Sequence, residues 1–154
     1  MTFTAWRITK RKHAKSAFSG LAAKKYGGRW NSPGTAVVYA AQSRSLAVLE
    51  VLVHLESSDL LKKYVLIGME IDDSFVAEID RRVLPHTWQV DPAPVEMRLI
   101  GDQWAADATS AVLKVPSAIV PGEDNFLLNP MHPDFTKLRL GKPVDFQFDP
   151  RLSR

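Results

Sequence analysis

The stretch Leu46-Ala47-Val48-Leu49-Glu50-Val51-Leu52-Val53 decides how the rest of the chain is interpreted. Glu50 is the first acidic residue of the chain, and every other position in the stretch is apolar. A serine at 43 or 45 can cap a helix here, and we predict a helix that runs to about Glu56. Because apolar residues occupy almost every position, this helix should be buried on more than one side. A charge in such a run is costly to desolvate unless a partner pairs with it.

Charge is distributed unevenly along the chain. Residues 1–49 contain nine Lys and Arg residues and no Asp or Glu, so that with a net charge of +3 the remainder carries −6. The simplest interpretation is a solvated basic surface. The alternative is a surface that concentrates an anion such as a nucleotide, a nucleic acid or an acidic protein. A cationic half facing one carboxylate framed by apolar residues suggests a site for an anionic substrate that develops positive charge.

Composition narrows the class of protein. The chain has 154 residues, of which 45% are apolar and 24% are charged, as expected for a single globular domain that spans residues 1–154. The absence of cysteine excludes a disulfide scaffold, a thiolate zinc site and a cysteine nucleophile. No run reaches about 18 apolar residues, and the N-terminus lacks the apolar core of a signal peptide. We therefore expect a cytoplasmic protein that does not enter a membrane.

The pattern of short apolar segments predicts an α+β fold. Residues 95–109 have helical spacing. Residues 10–25, 81–94 and 122–133 lack a clear pattern and are expected to be mostly loop or irregular structure. The strands do not alternate regularly with helices, which favours α+β. The expected strands are 4–8, 36–40, 64–71, 75–79, 111–115, 118–120, 138–140 and 144–148.

Two side chains near Glu50 are candidates for chemistry. On the predicted helix His54 lies one turn beyond Glu50 on the same face. The pair is explained either by a structural ion-pair network or by a carboxylate held ionised at the wall of a pocket, and His54 alone fits a core or supporting position better than a ligand. Tyr39 ends the strand before the helix, where it either packs in the sheet or offers a flat platform for a planar ring.

The densest polar and aromatic motif is Gly27-Gly28-Arg29-Trp30-Asn31. The glycines let the backbone approach a ligand closely, and Arg29 offers a planar fork of five donors that suits phosphate or carboxylate. Trp30 offers a stacking face, and Asn31 offers both a donor and an acceptor. A glycine turn followed by a packed tryptophan explains the same motif without a ligand.

Other chemical motifs are weaker or absent. Ser117 lies between apolar residues after a proline, so its hydroxyl needs a partner, either the backbone or a substrate phosphate. It is a poor nucleophile candidate because no elbow glycines surround it. The histidines at 13, 54, 86 and 132 lack metal-ligand spacing, so no metal site is predicted. No Walker loop or dinucleotide fingerprint is present, which excludes nucleotide binding in the Rossmann manner.

Taken together, these residues resemble the RES domain, a family named for Arg, Glu and Ser residues and found as the toxin of bacterial toxin–antitoxin pairs. The resemblance implies a fold similar to the ADP-ribosyltransferases of the diphtheria-toxin type, with a split mixed or antiparallel sheet and a few flanking helices. The motifs that carry it are, in order, Trp6-Arg7-Ile8, Gly28-Arg29-Trp30-Asn31, Val38-Tyr39-Ala40, Ala47-Val48-Leu49-Glu50, Val115-Pro116-Ser117 and Asn129-Pro130-Met131-His132-Pro133.

The resemblance also implies an activity. Members of the family break the nicotinamide–ribose bond of NAD, and the ADP-ribose goes to water, to phosphate or to a protein. It implies an enzyme with no metal and no cofactor beyond NAD as substrate, and an Xre-like antitoxin as partner. The implied catalytic site is Arg7, Arg29, Tyr39, Glu50 and Ser117, with Trp30, Asn31 and His54 as further substrate contacts.

Competing classes of function remain at this point. A nucleic-acid binder or ribonuclease toxin is supported by the pI of 9.3 and the basic first third of the chain. The basic residues are not interleaved with an aromatic platform, and no histidine pair is placed for acid–base cleavage, so we expect no direct contact with nucleic acid. A catalytically dead partner-binding module is the third reading. The acceptor, the oligomeric state and the role of residues 10–25 stay open.

Overall fold

One mixed sheet organises the protein in this computed structural model, which describes residues 1–153. The sheet has eight strands, and three α-helices pack around it. The strands are β1 (Thr2–Lys10), β2 (Val38–Ala41), β3 (Tyr64–Asp72), β4 (Val76–Glu78), β5 (Val112–Pro116), β6 (Asp124–Leu128), β7 (Arg139–Leu140) and β8 (Val144–Phe146). The helices are α1 (Leu21–Tyr26), α2 (Arg44–Leu52) and α3 (Val95–Asp107).

The sheet is split between β1 and β2. The strand order is β4-β5-β6-β2-β1-β3-β7, with β8 also paired to β3. β1 pairs with β3 along its whole length, whereas it meets β2 at a single register pair, Trp6 opposite Ala41. β4 and β5 are parallel, and the other pairs are antiparallel. The α+β class and the split mixed sheet expected from the sequence are confirmed.

Side chains alternate between the two faces of the sheet. On one face, Trp6, Ile8 and Ala41 pack with α2, and farther along Tyr39 and Leu127 pack with α3. The opposite face holds the larger apolar core, which is closed by phenylalanines of the connecting segments. Its buried members are Ala5, Val38, Ala40, Met69, Ile71, Ala111, Val112, Phe126, Leu128 and Leu138.

Helix α2 is shorter and less enclosed than its sequence predicted. Ser43 caps it, since its hydroxyl accepts a hydrogen bond from the Leu46 amide at 3.0 Å. The helix ends at Leu52 rather than near residue 56. Leu49 is 41% exposed and Val53 is 57% exposed, so only one side of the segment is buried. The expectation of burial on several sides was wrong because one sheet face covers this helix.

Three other segments differ from their predictions. Residues 122–133, expected to be irregular, contain β6, which lies between β5 and β2 near the centre of the sheet. The strand expected at 118–120 is absent, and those residues form a bend after β5. The basic segment 10–25, expected to be mostly loop, contains a 3₁₀-helix at Arg11–Ser16 and most of α1. The polar start of β6 hid this strand, because its neighbours β2 and β5 come from other parts of the chain.

None of the helices in residues 1–153 is long and apolar enough to cross a membrane.

The packing of α3 on the 28–32 turn gives a first testable prediction. Gly101 of α3 is buried, and a Cβ placed there would overlap the Trp30 carbonyl oxygen. Gly101→Ala raises helix propensity by about 1 kcal/mol, yet we expect a net loss of about 1–3 kcal/mol in the free energy of unfolding because backbone must move. Urea denaturation measures it, with the exposed Gln103→Ala as control. A stabilised Gly101→Ala protein would contradict this packing.

Candidate active site

The carboxylate of Glu50 is held at the sheet by two neutral donors. Glu50 lies on the side of α2 that carries the buried Leu46 and Ala47, and it is partly buried. Its Oε1 accepts hydrogen bonds from the Ser117 hydroxyl at 2.7 Å and from the Asn125 amide Nδ2 at 2.8 Å. No donor in residues 1–153 bonds Oε2. One oxygen is therefore fixed, and the other has no hydrogen-bond partner within residues 1–153.

Ser117 is fully used by the protein. The residue is 1% exposed, and its hydroxyl accepts from the amides of Ile119 and Val120 at 3.1 Å each while it donates to Glu50. A serine hydroxyl has one hydrogen and two acceptor positions. In this arrangement the hydroxyl hydrogen is directed at Glu50, and the contact of Ser117 with a substrate phosphate stays a prediction. Its place in the structure is to orient Glu50 and to close the turn after β5.

Tyr39 connects β2 to the glycine-arginine motif. Its hydroxyl donates to Asn31 Oδ1 at 2.6 Å and accepts from the Trp30 amide at 3.1 Å. Burial, as the largest cause, raises the pKa of Tyr39 well above its usual value of 10.0, so the hydroxyl stays protonated at neutral pH. Gly28 lies against this hydroxyl with no room for a Cβ. The phenol therefore fixes the path of the backbone on either side of Arg29.

Trp30 and Asn31 are parts of the scaffold. Trp30 is 2% exposed and Asn31 is 0% exposed. The Asn31 amide donates to the carbonyl oxygens of Ala23 and Thr35 at 2.9 and 3.0 Å. In this structure the protein encloses both side chains, and the contacts of these two residues with a substrate stay predictions.

Arg29 holds the segment before α3. Its Nη1 donates to the carbonyl oxygens of Trp88 and Val90 at 3.0 Å each, and Nη2 lies 3.8 Å from the carboxylate of Asp91. The Arg29 side chain is 21% exposed. Its Nε and Nη2 make no hydrogen bond to residues 1–153 and remain available to an anion. Arg29 therefore both anchors the 88–91 segment and presents donors.

Arg7 spans the split between β1 and β2. Its Nε donates to the Ala17 carbonyl oxygen at 2.8 Å, and its Nη1 donates to the Tyr39 carbonyl oxygen at 3.0 Å. Burial lowers the pKa of Arg7 to about 10, and the guanidinium is still charged at neutral pH. By strand alternation the side chain leaves β1 on the face opposite to Trp6. The contact with β2 occurs where the two strands have separated.

The groups around Glu50 and Tyr39 lie on the same face of the sheet. Asn125 of β6 is in register with Ala41 of β2, two residues from Tyr39. Side chains two residues apart on a strand are about 7 Å apart on one face. The structure thus joins Glu50 to Ser117 and Asn125, links Arg29 to Tyr39 through the adjoining backbone, and links Arg7 to the Tyr39 carbonyl.

His54 is separated from this group. Helix α2 ends at Leu52, Val53 is its C-cap, and His54 lies in the following turn with an exposed side chain. No hydrogen bond joins His54 to Glu50 within residues 1–153, and a role for His54 in substrate binding stays a prediction. No cluster of three or more metal-binding side chains occurs in residues 1–153.

Asn125 was not predicted as a site residue. Its segment was predicted to be irregular. In residues 124–128, however, successive side chains alternate between the two faces of the sheet, and Asn125 and Leu127 share the face covered by helices. An Asn has low strand propensity, and a polar side chain on a buried strand face needs a partner. Those two signals together could have marked it, once the segment was read as a strand.

Comparison with known proteins decides the family. The RES domain family matches residues 4–149. The chain belongs to the RES domain family. It is 44% identical to Toxin Res of Yersinia enterocolitica over 96% of this chain and 97% of that protein. It is 42% identical to the Prs ADP-ribosylating toxin of a Sphingobium species over 100% of this chain and 99% of that protein.

A solved structure shares the architecture of this RES domain. The toxin–antitoxin complex MbcT-MbcA of M. tuberculosis contains a chain that superposes with a TM-score of 0.79 and 20% sequence identity, covering 99% of this chain and 87% of that chain. At this level of identity the match describes the fold, and it agrees with the split sheet described above.

The buried hydroxyl of the RES domain's Tyr39 gives a prediction with a pH dependence. Tyr39→Phe leaves the Trp30 amide and Asn31 Oδ1 unpaired, so it should lower the free energy of unfolding by about 1–3 kcal/mol at neutral pH. Because folding raises the pKa of Tyr39, the unfolded chain ionises first. The advantage of the wild type is fully present below about pH 10 and shrinks above it by up to about 1.4 kcal/mol per pH unit.

Urea denaturation of both proteins between about pH 7 and pH 11 measures this difference. Tyr26→Phe is the matched control, since Tyr26 is 73% exposed and should change the stability little at any pH. A Tyr39→Phe protein as stable as the wild type at pH 7 would contradict the hydrogen bonds described for this hydroxyl.

Proposed function

We propose that this RES domain is the toxin of a toxin–antitoxin pair and cleaves the nicotinamide–ribose bond of NAD. The observation that carries the proposal is the carboxylate of Glu50, held through Oε1 by two neutral donors with Oε2 unengaged. On the same sheet face, Tyr39 is tied through its carbonyl oxygen to Arg7 and through its hydroxyl to the backbone next to Arg29. An anionic dinucleotide that develops a sugar cation matches this combination. The family membership and the toxins named among its relatives support the same assignment.

Cleavage of the nicotinamide–ribose bond requires stabilisation of the positive charge that forms on the ribose. Cleavage of the glycosidic bond builds positive charge on the ribose ring carbon and oxygen, and the nicotinamide of NAD leaves as a neutral base, so no acid catalyst is needed. Glu50, as carboxylate, would accept hydrogen bonds from the ribose hydroxyls through Oε2 and stabilise the charge as it forms. Because Oε1 is already fixed, little reorganisation accompanies the reaction.

The remaining residues would hold the substrate. The Nε and Nη2 donors of Arg29 would bind a phosphate of NAD, and Arg7 would add positive potential at the split and contribute its remaining donors. The ring of Tyr39, whose hydroxyl end is anchored, would stack on the nicotinamide. No metal and no additional cofactor has a step in this scheme.

Removal of the Glu50 charge tests the scheme directly. Glu50→Gln keeps the shape of the side chain and should lower kcat by roughly 10²–10³ or more, with a modest change in KM, because the carboxylate acts on charge that develops in the transition state. The rate of NAD consumption by the purified protein measures this. Glu96→Gln, an exposed carboxylate on α3, is the control, and wild-type turnover of a folded Glu50→Gln protein removes the assignment.

Arginine geometry gives a separate prediction. Lysine keeps the charge of Arg29 but cannot donate to two carbonyl oxygens from one fork and also present donors to a phosphate. Arg29→Lys should therefore raise KM for NAD by about tenfold or more, by the strength of hydrogen bonds to charged groups. Arg139→Lys serves as control, since that side chain is 85% exposed on β7. A KM equal to that of the wild type would contradict the role of Arg29.

The acceptor of the ADP-ribose decides between two versions of this activity. Water gives ADP-ribose and inorganic phosphate gives ADP-ribose 1″-phosphate, whose masses differ. Incubation of the protein with NAD, with and without phosphate, followed by mass spectrometry of the products distinguishes hydrolysis from phosphorolysis. Failure to consume NAD under both conditions would count against either.

A protein mono-ADP-ribosyltransferase is the second candidate, because one relative that matches this chain over nearly all of both lengths is named an ADP-ribosylating toxin. The same site would weaken the same bond, and a protein side chain would then accept the ADP-ribose. Labelled NAD added with a bacterial extract tests this: label transferred to a protein band, and lost with Glu50→Gln, favours the transferase.

The proposal includes an antitoxin as partner. In Xre/RES systems the antitoxin carries a helix-turn-helix domain. The structural neighbour was also solved as a toxin–antitoxin complex. An acidic segment of the antitoxin that pairs with the free donors of Arg29 would be the simplest physical means of inhibition. Co-expression with the neighbouring gene should rescue growth and copurify the two proteins.

A further inference from the structure

Asn125 makes the second of the two contacts that fix Glu50, and nothing in the family resemblance assigned it a role. Its Nδ2 donates to Glu50 Oε1 at 2.8 Å. The backbone of Asn125 is paired on both sides, with Ala41 of β2 and with Val115 of β5. The side chain is therefore carried by a strand with neighbours on either edge, so its position is precise.

The orientation of this amide follows from Glu50. If the amide were turned over, its oxygen would face the carboxylate oxygen, so only Nδ2 can point at Glu50. The other end, Oδ1, is buried and accepts no hydrogen bond from residues 1–153. A buried polar atom without a partner costs free energy. The amide therefore leaves its oxygen unpaired, while its nitrogen donates to Glu50.

From these contacts, and resting on the proposed function of the site, we infer that Asn125 is a positioning residue for the NAD-cleaving reaction: it holds the Glu50 carboxylate with Oε1 toward the sheet and Oε2 toward the substrate, and its neutrality keeps Glu50 the single anion at that point. Ser117 is saturated by its own turn and by Oε1, so Asn125 is the partner whose charge can be changed without opening that turn.

The other charged and titratable groups near Glu50 could also affect its pH dependence. By alternation, the face of the sheet covered by α2 carries Tyr39 of β2, Lys10 at the end of β1, and Tyr64 and Glu70 of β3. Arg44 of α2 lies over the Trp6 ring, and the charges around Tyr39 are those of Asp102, Arg98 and Arg29. Lys114 and Asp124 of β5 and β6 point to the opposite face, where they pair at 3.6 Å. The two donors that contact Glu50 are uncharged. A new carboxylate at position 125 would therefore act on Glu50 directly.

The test is Asn125→Asp. This variant is nearly the same size and places a second carboxylate at hydrogen-bond distance from Glu50, so the two must share one proton as the pH falls. We expect the acid limb of the pH profile of kcat/KM to move to higher pH by about one unit or more, with a large loss of kcat at neutral pH. An acid limb that coincides with that of the wild type overturns the inference.

The chain supplies a matched control. Gln103 Nε2 donates to Asp107 Oδ1 at 2.7 Å on the exposed surface of α3, which is the same contact of an amide with a carboxylate, outside the site. Gln103→Glu adds the same charge to the same kind of pair. Its pH profile should match that of the wild type, and a shift equal to that of Asn125→Asp would show a general charge effect and overturn the inference.

A second variant covers the case in which Asn125→Asp does not fold. Asn125→Ala removes the donor without adding charge, and we expect kcat to fall by about 10–100-fold, by the strength of a hydrogen bond to a charged group, with little change in KM. If Asn125 had only a structural role, Asn125→Ala would lower the free energy of unfolding, and kcat would not fall selectively at an unchanged KM. Wild-type kcat in a folded Asn125→Ala protein overturns the inference.

A readout without turnover separates this inference from the proposed function. With ¹³C-labelled glutamate, the carboxyl carbon of Glu50 is identified by its loss in Glu50→Gln, and its titration is followed by NMR. The curve should move to higher pH in Asn125→Asp and not in Gln103→Glu. If the wild type does not consume NAD, the proposed function fails while this titration still tests the contact. If NAD is consumed but neither the pH profile of kcat/KM nor the Glu50 titration moves in Asn125→Asp, only the inference fails.

Discussion

The carboxylate of Glu50, fixed by Ser117 and Asn125, is the interaction on which the rest of the site depends. It joins the buried side of α2 to the turn after β5 and to the middle strand β6, three parts of the chain that are far apart in sequence. A charged group on the buried side of a helix is unfavourable unless donors meet it. Two neutral donors meet one of its oxygens, so the charge is kept while the other oxygen stays free.

A second group of buried polar atoms sets the geometry of the arginine motif. The Tyr39 hydroxyl, Asn31 and the Trp30 amide satisfy one another inside the protein, and α3 packs so closely on this turn that Gly101 leaves no room for a side chain. Arg29 then reaches outward from a rigid backbone, and Arg7 ties the same strand to β1 across the split. Several residues that resemble ligand contacts in the sequence are thus the supports of the residues that could bind one.

Prediction from the sequence succeeded where a local pattern was strong. The α+β class, the strands β1 and β3 and the helix α3 were placed within a few residues. The helical spacing of α3 was clear, whereas the alternation of β1 was weak. The end of α2 and the whole of β6 were not. Residues 53–56 lose the sheet face that would have held them in a helix, and β6 is polar at its start because Asn125 has a partner from α2, so local patterns gave the wrong reading for both.

The sequence by itself determined the family, the kind of fold and the side chains that matter most, since Arg29, Tyr39 and Glu50 stand in short motifs whose order along the chain is informative. Only the tertiary structure decided what each of them touches. It buried Trp30 and Asn31, joined the Ser117 hydroxyl to Glu50, left His54 in solvent and brought Asn125 to the carboxylate. The physical reason is that burial and hydrogen-bond saturation depend on neighbours from other strands and helices, and no local pattern records them.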